Sequence, residues 1–393
     1  MFIKKLSVNL RKVKKIIATF AKNRDEMIVE REIAGFVLPF TIGIIASAAL
    51  SGASFTFPAI PAATSVILVS VPILLLIHPS HRSWNGHVLY LLLTAASAGC
   101  GLFVGFTHSL YSISSFNECL SVPDQITRMG ESLKSGIENI SFNDIATNRI
   151  IAALILGERA GIPPEIISTF RESGASHILA LSGLHLGIIY GILSSMLSFL
   201  GHSPRGRISK AFFIISACGL YSAITGAGAS ITRAFLFISI GEVTKLSNRY
   251  KTTAQVLMTS IFLQLLFSPG SIRDIGFQLS YAAMAGIAFL FPWLKDMWSE
   301  GKGGVMKWIW VSAAMSISCQ ITTGPLAYFY FGTFPQHFLL TNLIALPLTG
   351  LLIPSSLLTL TLNSVGICPD FLIYLTEKLV ELMTDALNIV ASM

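Results

Sequence analysis

Long apolar stretches alternate with short polar connections over most of the chain, and each long stretch predicts a helix that crosses a lipid bilayer. The candidate spans are residues 33–52, 58–77, 87–107, 178–200, 211–227, 231–244, 253–268, 275–294, 305–325 and 338–362. Several of these stretches contain Gly or Pro, which predicts breaks within them. The pattern therefore predicts an all-α fold: a polytopic membrane helical bundle with about ten transmembrane helices, some of them broken.

The segments outside the spans predict surface amphipathic helices and a division into domains. Residues 1–32 mix Lys and Arg with apolar side chains, which is typical of a basic cytoplasmic segment on an anionic leaflet. Residues 33–107 form the N-terminal transmembrane helices, and the polar interval 108–149 is an outer linker. Residues 150–362 form the transmembrane core, which two short helices on the outer surface lead into. Residues 363–393 predict an amphipathic helix, either on the membrane surface or packed on the bundle.

Composition and charge agree with this architecture. Hydrophobic residues make up 53% of the chain and charged residues 12%, and the net charge is +7. With the N-terminus inside, the cytoplasmic loops carry most of the loop Lys and Arg, while the short outer loops hold only Arg273. This asymmetry predicts a multi-pass protein with a cytoplasmic N-terminus, and it explains the positive charge without nucleic acid.

The stretch from Gly174 to Leu200 is the most informative one. Gly183, Gly187 and Gly191 recur every fourth residue, which predicts a helix face that packs closely on a neighbouring helix. Ser182 and His185 lie on a different side. A polar side chain is costly in lipid, so we expect this second side to line a water-filled path inside the bundle.

Two regions predict helix breaks near the membrane edge. Gly226 and Gly228 precede Arg233, which heads the next span. Arg233 is either an interfacial anchor or internal ion-pair partner, or an anion contact on a permeation path. Gly324 and Pro325 predict a second break.

A further polar region starts another span. Arg273 precedes the helix start, and Gln278 and Tyr281 share one face, where Gln278 needs a partner inside the bundle. Tyr328 and Tyr330 lie in an aromatic stretch at the outer boundary. Such a stretch is typical of an interfacial belt, with base stacking as the alternative.

Several function classes are excluded or disfavoured by the sequence. The chain has no G-x-x-x-x-G-K-[ST] phosphate loop, so ATP hydrolysis by that route is excluded. No His, Cys or carboxylate spacing predicts a metal site, and no cofactor is expected. An intramembrane enzyme that uses His177 or His185 with Ser182 lacks a neighbouring carboxylate to orient the histidine. We therefore expect a protein that is not an enzyme.

Taken together, these regions resemble the ComEC family of bacterial competence proteins over about residues 150–360. The resemblance rests on several motifs that occur in the family's order: Leu156-Gly157-Glu158, Gly174 to Gly187 with its Ser-Gly-Leu-His core, Ser230 to Ala234, Asp274 to Ser280, Gly324-Pro325, and then Asn342 and Pro347. The resemblance implies a helical core in the bacterial inner membrane that passes one DNA strand into the cytoplasm.

The resemblance also assigns a path and partners. The residues expected to line the DNA path are Ser182, His185, Arg233, Arg273, Gln278, Tyr281 and Asn342. The implied partners are single-stranded DNA, the lipid bilayer, a separate DNA receptor and a cytoplasmic motor, and a homo-oligomer stays open. A small-solute or proton-coupled transporter built on the same core is the alternative function.

The chain departs from the family in two ways, and both limit the activities that we expect of it. The interval 108–149 is too short for the small outer domain that full-length members carry. The chain also lacks the His-x-His-x-Asp-His motif of the metallo-β-lactamase-like domain in which many members end. We therefore do not expect nuclease activity.

Overall fold

The computed structural model describes residues 35–47, 94–102, 104–105, 124–246, 252–298, 304–332 and 337–393, and the elements in these ranges are helices without any strand. The all-α prediction is thus confirmed. In chain order the numbered helices are α1 (Gly35–Ser47), α2 (Asp124–Glu138), α3 (Ile145–Leu156), α4 (Pro164–Glu172), α5 (Ser176–Leu179), α6 (Gly183–Met196), α7 (Pro204–Ile224), α8 (Ala229–Leu246), α9 (Thr253–Phe267), α10 (Ile275–Asp296), α11 (Val305–Phe331), α12 (Phe338–Ser364) and α13 (Asp370–Ala391). Residues 94–102 and 104–105 are also helical. The predicted segment 1–32 and the span 58–77 lie outside the described residues, as do residues 87–93, 103, 106 and 107 of the span 87–107.

The chain divides into two compact units. Unit 1 comprises residues 1–118 and 250–272, and unit 2 comprises residues 119–249 and 273–393. In unit 1, the rings of Phe36 and Phe40 pack edge-on against Phe262 of α9, with centroids 5.3 and 4.8 Å apart. The predicted core 150–362 included α9, whereas α9 belongs to unit 1.

Three described helices are long and apolar enough to cross a membrane, namely α7, α10 and α12. The sequence predicted about ten spans, and the described residues show fewer than that. The helix boundaries differ from the prediction for local reasons. For example, the predicted span 178–200 is interrupted at residues 180–182, because Ser182 caps a new helix there, and His177 consequently lies on the separate short helix α5.

Helix α3 forms the centre of unit 2. Eight of its twelve residues are buried, and six of these, the consecutive residues Ile150 to Ile155, are apolar and cover every side of the helix. They pack against Ile137 of α2, Leu352 of α12 and Met383 of α13. The sequence predicted a helix that lies on the outer membrane surface, and the structure shows in addition that neighbouring helices enclose it, as a helix that is apolar all round requires.

The C-terminal helix α13 packs on the bundle, which decides between the two placements that the sequence left open. It contacts α12 along its length and also α4 and α3. The hydroxyl groups of Thr359 and Thr376 form a buried hydrogen bond of 3.0 Å between α12 and α13. The apolar face of α13 faces this contact, with Val380, Met383 and Leu387 buried.

Five helices of unit 2 form a closed cycle of neighbours, which we call the ring. Helix α6 packs on α8, α8 on α10, α10 on α11, α11 on α12, and α12 on α6. Helix α7 packs on α6, α8 and α2. Where α10 crosses α11, Gly286 approaches so closely that a Cβ atom on it would lie 2.3 Å from the Ser318 carbonyl oxygen. Glycine is required at this crossing.

Candidate functional site

The start of α6 holds a buried histidine in a reciprocal cap. The Ser182 hydroxyl accepts from the Leu184 backbone N–H at 3.3 Å, and His185 Nδ1 accepts from the Ser182 backbone N–H at 3.2 Å. Because Nδ1 accepts, the neutral imidazole carries its proton on Nε2. His185 is 0% exposed, and its Nε2 has no hydrogen-bond partner among the described residues.

Helix α8 contributes a buried arginine. Arg233 is 2% exposed, and its Cζ lies 5.6 Å from the ring centroid of Tyr281 on α10. The Asp274 carboxylate also acts favourably on this charge. The Nε and Nη1 atoms of Arg233 have no hydrogen-bond partner within the described part of the chain. A buried cation with unused donors is costly, so this position is suited to an anionic ligand.

Helices α10 and α11 meet through a second polar pair. The Tyr330 hydroxyl donates to Gln278 Oε1 at 2.6 Å, which supplies the partner that the sequence required for Gln278. Asp274 caps α10 by accepting from the backbone N–H groups of Gly276 and Phe277. Tyr328 at the end of α11 is 62% exposed.

These residues lie at one end of unit 2, which we call the polar end. Gly183 at the start of α6 faces Ala234 near the start of α8. The Arg233–Tyr281 contact joins α8 to α10, and the Gln278–Tyr330 bond joins α10 to the end of α11. Helix α12 packs on α11 and α6, and it begins at Phe338, shortly after α11 ends.

Two other predicted residues complete the polar end. Asn342, in the first turns of α12, has a buried Oδ1 without a partner among the residues that the structure describes. Arg273 is exposed just before α10 begins. The sequence-predicted residues of the path therefore come from the starts of four helices, α6, α8, α10 and α12, at one end of the ring.

The predicted helix breaks have different outcomes. Gly226 and Gly228 lie between α7 and α8, and Gly226 has a φ of 79° that favours glycine. Gly324 and Pro325, by contrast, lie inside the continuous helix α11. The prediction of a break there is wrong, because Pro325 removes one backbone hydrogen bond without ending the helix, which continues to Phe331.

Within the described residues, the glycine stripe of α6 packs only at its first member. Gly183, Gly187 and Gly191 are exposed, and a Cβ atom on Gly187 or Gly191 would meet no atom of the described residues within 4 Å. Gly183 alone of the three faces a neighbour in this part of the chain, namely Ala234. The buried side of α6 is instead the one that carries His185 and Leu186.

A cavity of about 380 Å³ opens beside the turn between α7 and α8. It is lined by residues of α2 and by Leu156, Ala223 and Gly226. Lys134 and Glu158 form an ion pair in its wall, and the hydrogen bond to Glu158 raises the pKa of the Lys134 ammonium group. Helix α2 thus covers part of the unit next to the Gly226 turn.

Sequence reasoning missed a polar cluster at the opposite end of α8. Glu242 is buried and accepts from the Tyr190 hydroxyl at 2.9 Å and from Lys245 Nζ at 2.6 Å. Lys245 also donates to the Tyr190 hydroxyl. The signal was available, because Glu242 is the acidic residue of an otherwise apolar span, and such residues are typically paired or functional.

The Competence protein family matches residues 154–393, which is more than half of the chain. The chain belongs to this family. ComE operon protein 3 of Bacillus subtilis is 27% identical over 251 residues, which are 63% of this chain and 30% of that protein. Recombination protein 2 of Haemophilus influenzae is 21% identical over 301 residues, covering 72% of this chain and 36% of that protein.

Uncharacterized protein YcaI of Escherichia coli is 30% identical over 151 residues, or 37% of this chain and 20% of that protein. The chain therefore spans 20–36% of the length of these three relatives. No solved structure matches the chain. The resemblance that the motifs indicated is thus confirmed at the level of the family.

Proposed function

We propose that this protein passes single-stranded DNA across the bacterial inner membrane, along a path that begins at the polar end of the ring. The observation that carries the proposal is Arg233, a buried cation whose Nε and Nη1 donors lack partners among the described residues. Membership of the Competence protein family supports DNA as the substrate.

The chemistry of Arg233 suits a phosphodiester. Every nucleotide of a single strand carries a negative charge, which cannot enter hydrocarbon without a compensating group. A guanidinium stays charged at physiological pH and offers several donors to phosphate oxygens. Binding of a phosphate offsets the cost of the buried cation, and the next phosphate can replace it as the strand advances.

The aromatic residues of the polar end supply surfaces for bases. Tyr328 and Tyr330 project from the end of α11, and both are exposed. Bases of any sequence stack on such rings, which suits a channel without sequence preference. Tyr281 is buried against Arg233 and orients the guanidinium by a cation–π contact.

Orientation and driving force complete the proposal. The loop charges support an N-terminus in the cytoplasm, with the polar end on the outer side. The chain has no phosphate-loop motif, so a separate cytoplasmic motor pulls the strand, and a separate receptor delivers it.

A proton-coupled transporter is the second candidate, and Glu242 favours it. A buried carboxylate on a membrane helix can carry a proton, and Tyr190 and Lys245 hold it in place. In that function, the polar end would bind a small solute rather than a strand.

The test uses the full chain in liposomes that enclose a nuclease, so that no motor is needed. A quenched single-stranded oligonucleotide added outside becomes fluorescent only after it has entered and been cleaved. Arg233→Gln is compared with Arg233→Lys and with Arg171→Gln, an exposed arginine on α4, as the matched control. We expect uptake to fall about tenfold in Arg233→Gln, less in Arg233→Lys, and to stay unchanged in Arg171→Gln.

The outcomes separate the two candidates. Uptake that falls steeply as salt rises supports a strand that contacts cations through phosphates. Uptake at the parent level in a folded Arg233→Gln protein would show that the path does not pass Arg233. If the folded parent admits no oligonucleotide but Glu242→Gln alters proton flux, the transporter replaces the channel.

A further inference from the structure

One face of α6 is exposed over its whole length. It consists of Gly183, Gly187, Gly191 and Ser195, which we call the glycine face. At about 100° per residue, these four positions cover an arc of about 120°. For Gly187 and Gly191, no atom of the described residues occupies the space in which a side chain would lie.

The opposite face of α6 is packed. Leu186, Tyr190 and Leu193 join a cluster with Ile214 of α7 and Ile231 of α8. Around the helix axis, the centre of this cluster lies about 110° from the centre of the glycine face. Helix α7 therefore lies to one side of the glycine face rather than in front of it.

The orientation of α8 places Arg233 on the same side as the glycine face. Ala234 faces Gly183 of α6, and Phe235 faces Gly219 of α7. Arg233 lies about 100° from Ala234, in the sense opposite to Phe235. It therefore points away from α7, and its contact with Tyr281 places α10 on that side.

The ring closes on this same side of α6 and α8. Helix α10 contacts α8 through Tyr281, and α11 and α12 complete the cycle back to α6. Helix α7 presents Phe212 and Phe213, both exposed, away from this space. The glycine face is thus directed toward the interior of the ring, as is the buried Arg233, whose Nε and Nη1 donors lack partners among the described residues.

We infer that the glycine face of α6 is the wall along which single-stranded nucleic acid moves after it passes Arg233; this inference rests on the proposed function. Glycine has no side chain, so the face leaves room for a sugar–phosphate chain with its bases. It also offers no side chain that would hold the strand at one position. A path needs such a surface, because binding that is too strong at one site stops conduction.

Cysteine accessibility tests this inference. In a full chain whose five native cysteines are replaced by serine, Gly187→Cys and Gly191→Cys are compared with Phe212→Cys, an exposed position on α7. A charged, impermeant thiol reagent reacts with thiolates in water. We expect it to label Gly187→Cys and Gly191→Cys at least about tenfold faster than Phe212→Cys, because a lipid-facing thiol stays protonated. A saturating single-stranded oligonucleotide is expected to slow labelling of the two former sites only.

Three results would overturn the inference. Labelling of both glycine positions by an apolar reagent alone would mean that the glycine face contacts lipid. Labelling from water that an oligonucleotide does not slow would mean that the strand passes elsewhere. Oligonucleotide uptake that persists after both positions carry a bulky label would also mean that the strand passes elsewhere. In that case the proposed channel function would still hold. If Gly187→Cys fails to fold, Gly191→Cys alone decides.

Discussion

Glu377 of α13 binds Asn143 through both of its nitrogen atoms. The carboxylate accepts from the Asn143 backbone N–H at 3.0 Å and from Nδ2 at 2.8 Å. It also accepts from the Asp144 backbone N–H at 3.2 Å. A single side chain thus attaches the C-terminal helix to the turn that starts α3.

Replacement of Glu377 by Ala is expected to lower the free energy of unfolding by about 1–2 kcal/mol, because hydrogen bonds to a charged group are lost and the backbone donors turn to water. Glu381→Ala is the matched control, since Glu381 pairs only with Lys378 on its own helix among the contacts that the structure describes. Thermal unfolding in detergent measures both. An equal loss in the two variants would contradict the role given to Glu377.

Asn148 stabilises the end of α2 from inside the core. Its Nδ2 donates to the carbonyl oxygens of Ile137 and Ile140, at 2.7 and 3.1 Å. Asn148→Leu keeps the branched shape of the side chain but removes one of two donors from each carbonyl oxygen, so that the two oxygens retain only the backbone N–H groups of Ile140 and Phe142. We expect a loss of about 1–3 kcal/mol. Asn139→Leu, at an exposed position nearby, is expected to be nearly neutral in the same unfolding measurement.

Gly157 ends α3 with a φ of 77°, and a Cβ atom on it would lie 2.4 Å from Leu181 Cδ1. Gly157→Ala therefore adds a clash to the cost of the left-handed backbone, which is about 1 kcal/mol or more. Gly366 has a φ of 75° and open space around it, so Gly366→Ala isolates the backbone cost. A melting temperature that falls further in Gly157→Ala than in Gly366→Ala is the expected result, and equal shifts would show that Leu181 moves freely.

The reciprocal cap of α6 predicts an order of stability among variants of Ser182 and His185. Ser182→Ala loses the cap and is expected to cost about 1 kcal/mol. His185→Gln keeps an acceptor that can reach the Ser182 N–H, as glutamine does in other capping boxes, and is expected to be milder than His185→Leu. Urea or thermal unfolding ranks the three. If His185→Leu is as stable as His185→Gln, the bond to Nδ1 contributes nothing.

Helix starts in this chain were largely predictable, while burial was not. Asp274 caps α10, which begins where the sequence predicted a span to begin, whereas Ser182 caps α6 inside a stretch that the sequence predicted as one continuous span. The enclosure of α3 was missed, because the same apolar composition fits a surface helix in lipid headgroups. The helices α12 and α13 help to enclose α3, and both are far away from it in sequence.

In the candidate site, too, some features could be predicted from the sequence and others depend on residues that are distant in sequence. The need of Gln278 for a partner follows from its type, but the partner Tyr330 lies 52 residues away on another helix. The glycine stripe was recognised by its spacing, yet spacing does not distinguish a surface that packs on a helix from one that faces open space. That distinction depends on the positions of α7 and α8 around α6.

The enclosure of α3 also sets an order of events during synthesis. The turn before α3 cannot form its hydrogen bonds to Glu377 at once, because Glu377 is added by the ribosome 234 residues later than Asn143. At bacterial rates this delay is on the order of ten seconds or more, during which an apolar helix has no permanent cover. Until α13 arrives, the side of α3 that packs against it stays uncovered. Nascent chains that stop before α13 are therefore the species most exposed to aggregation and proteolysis.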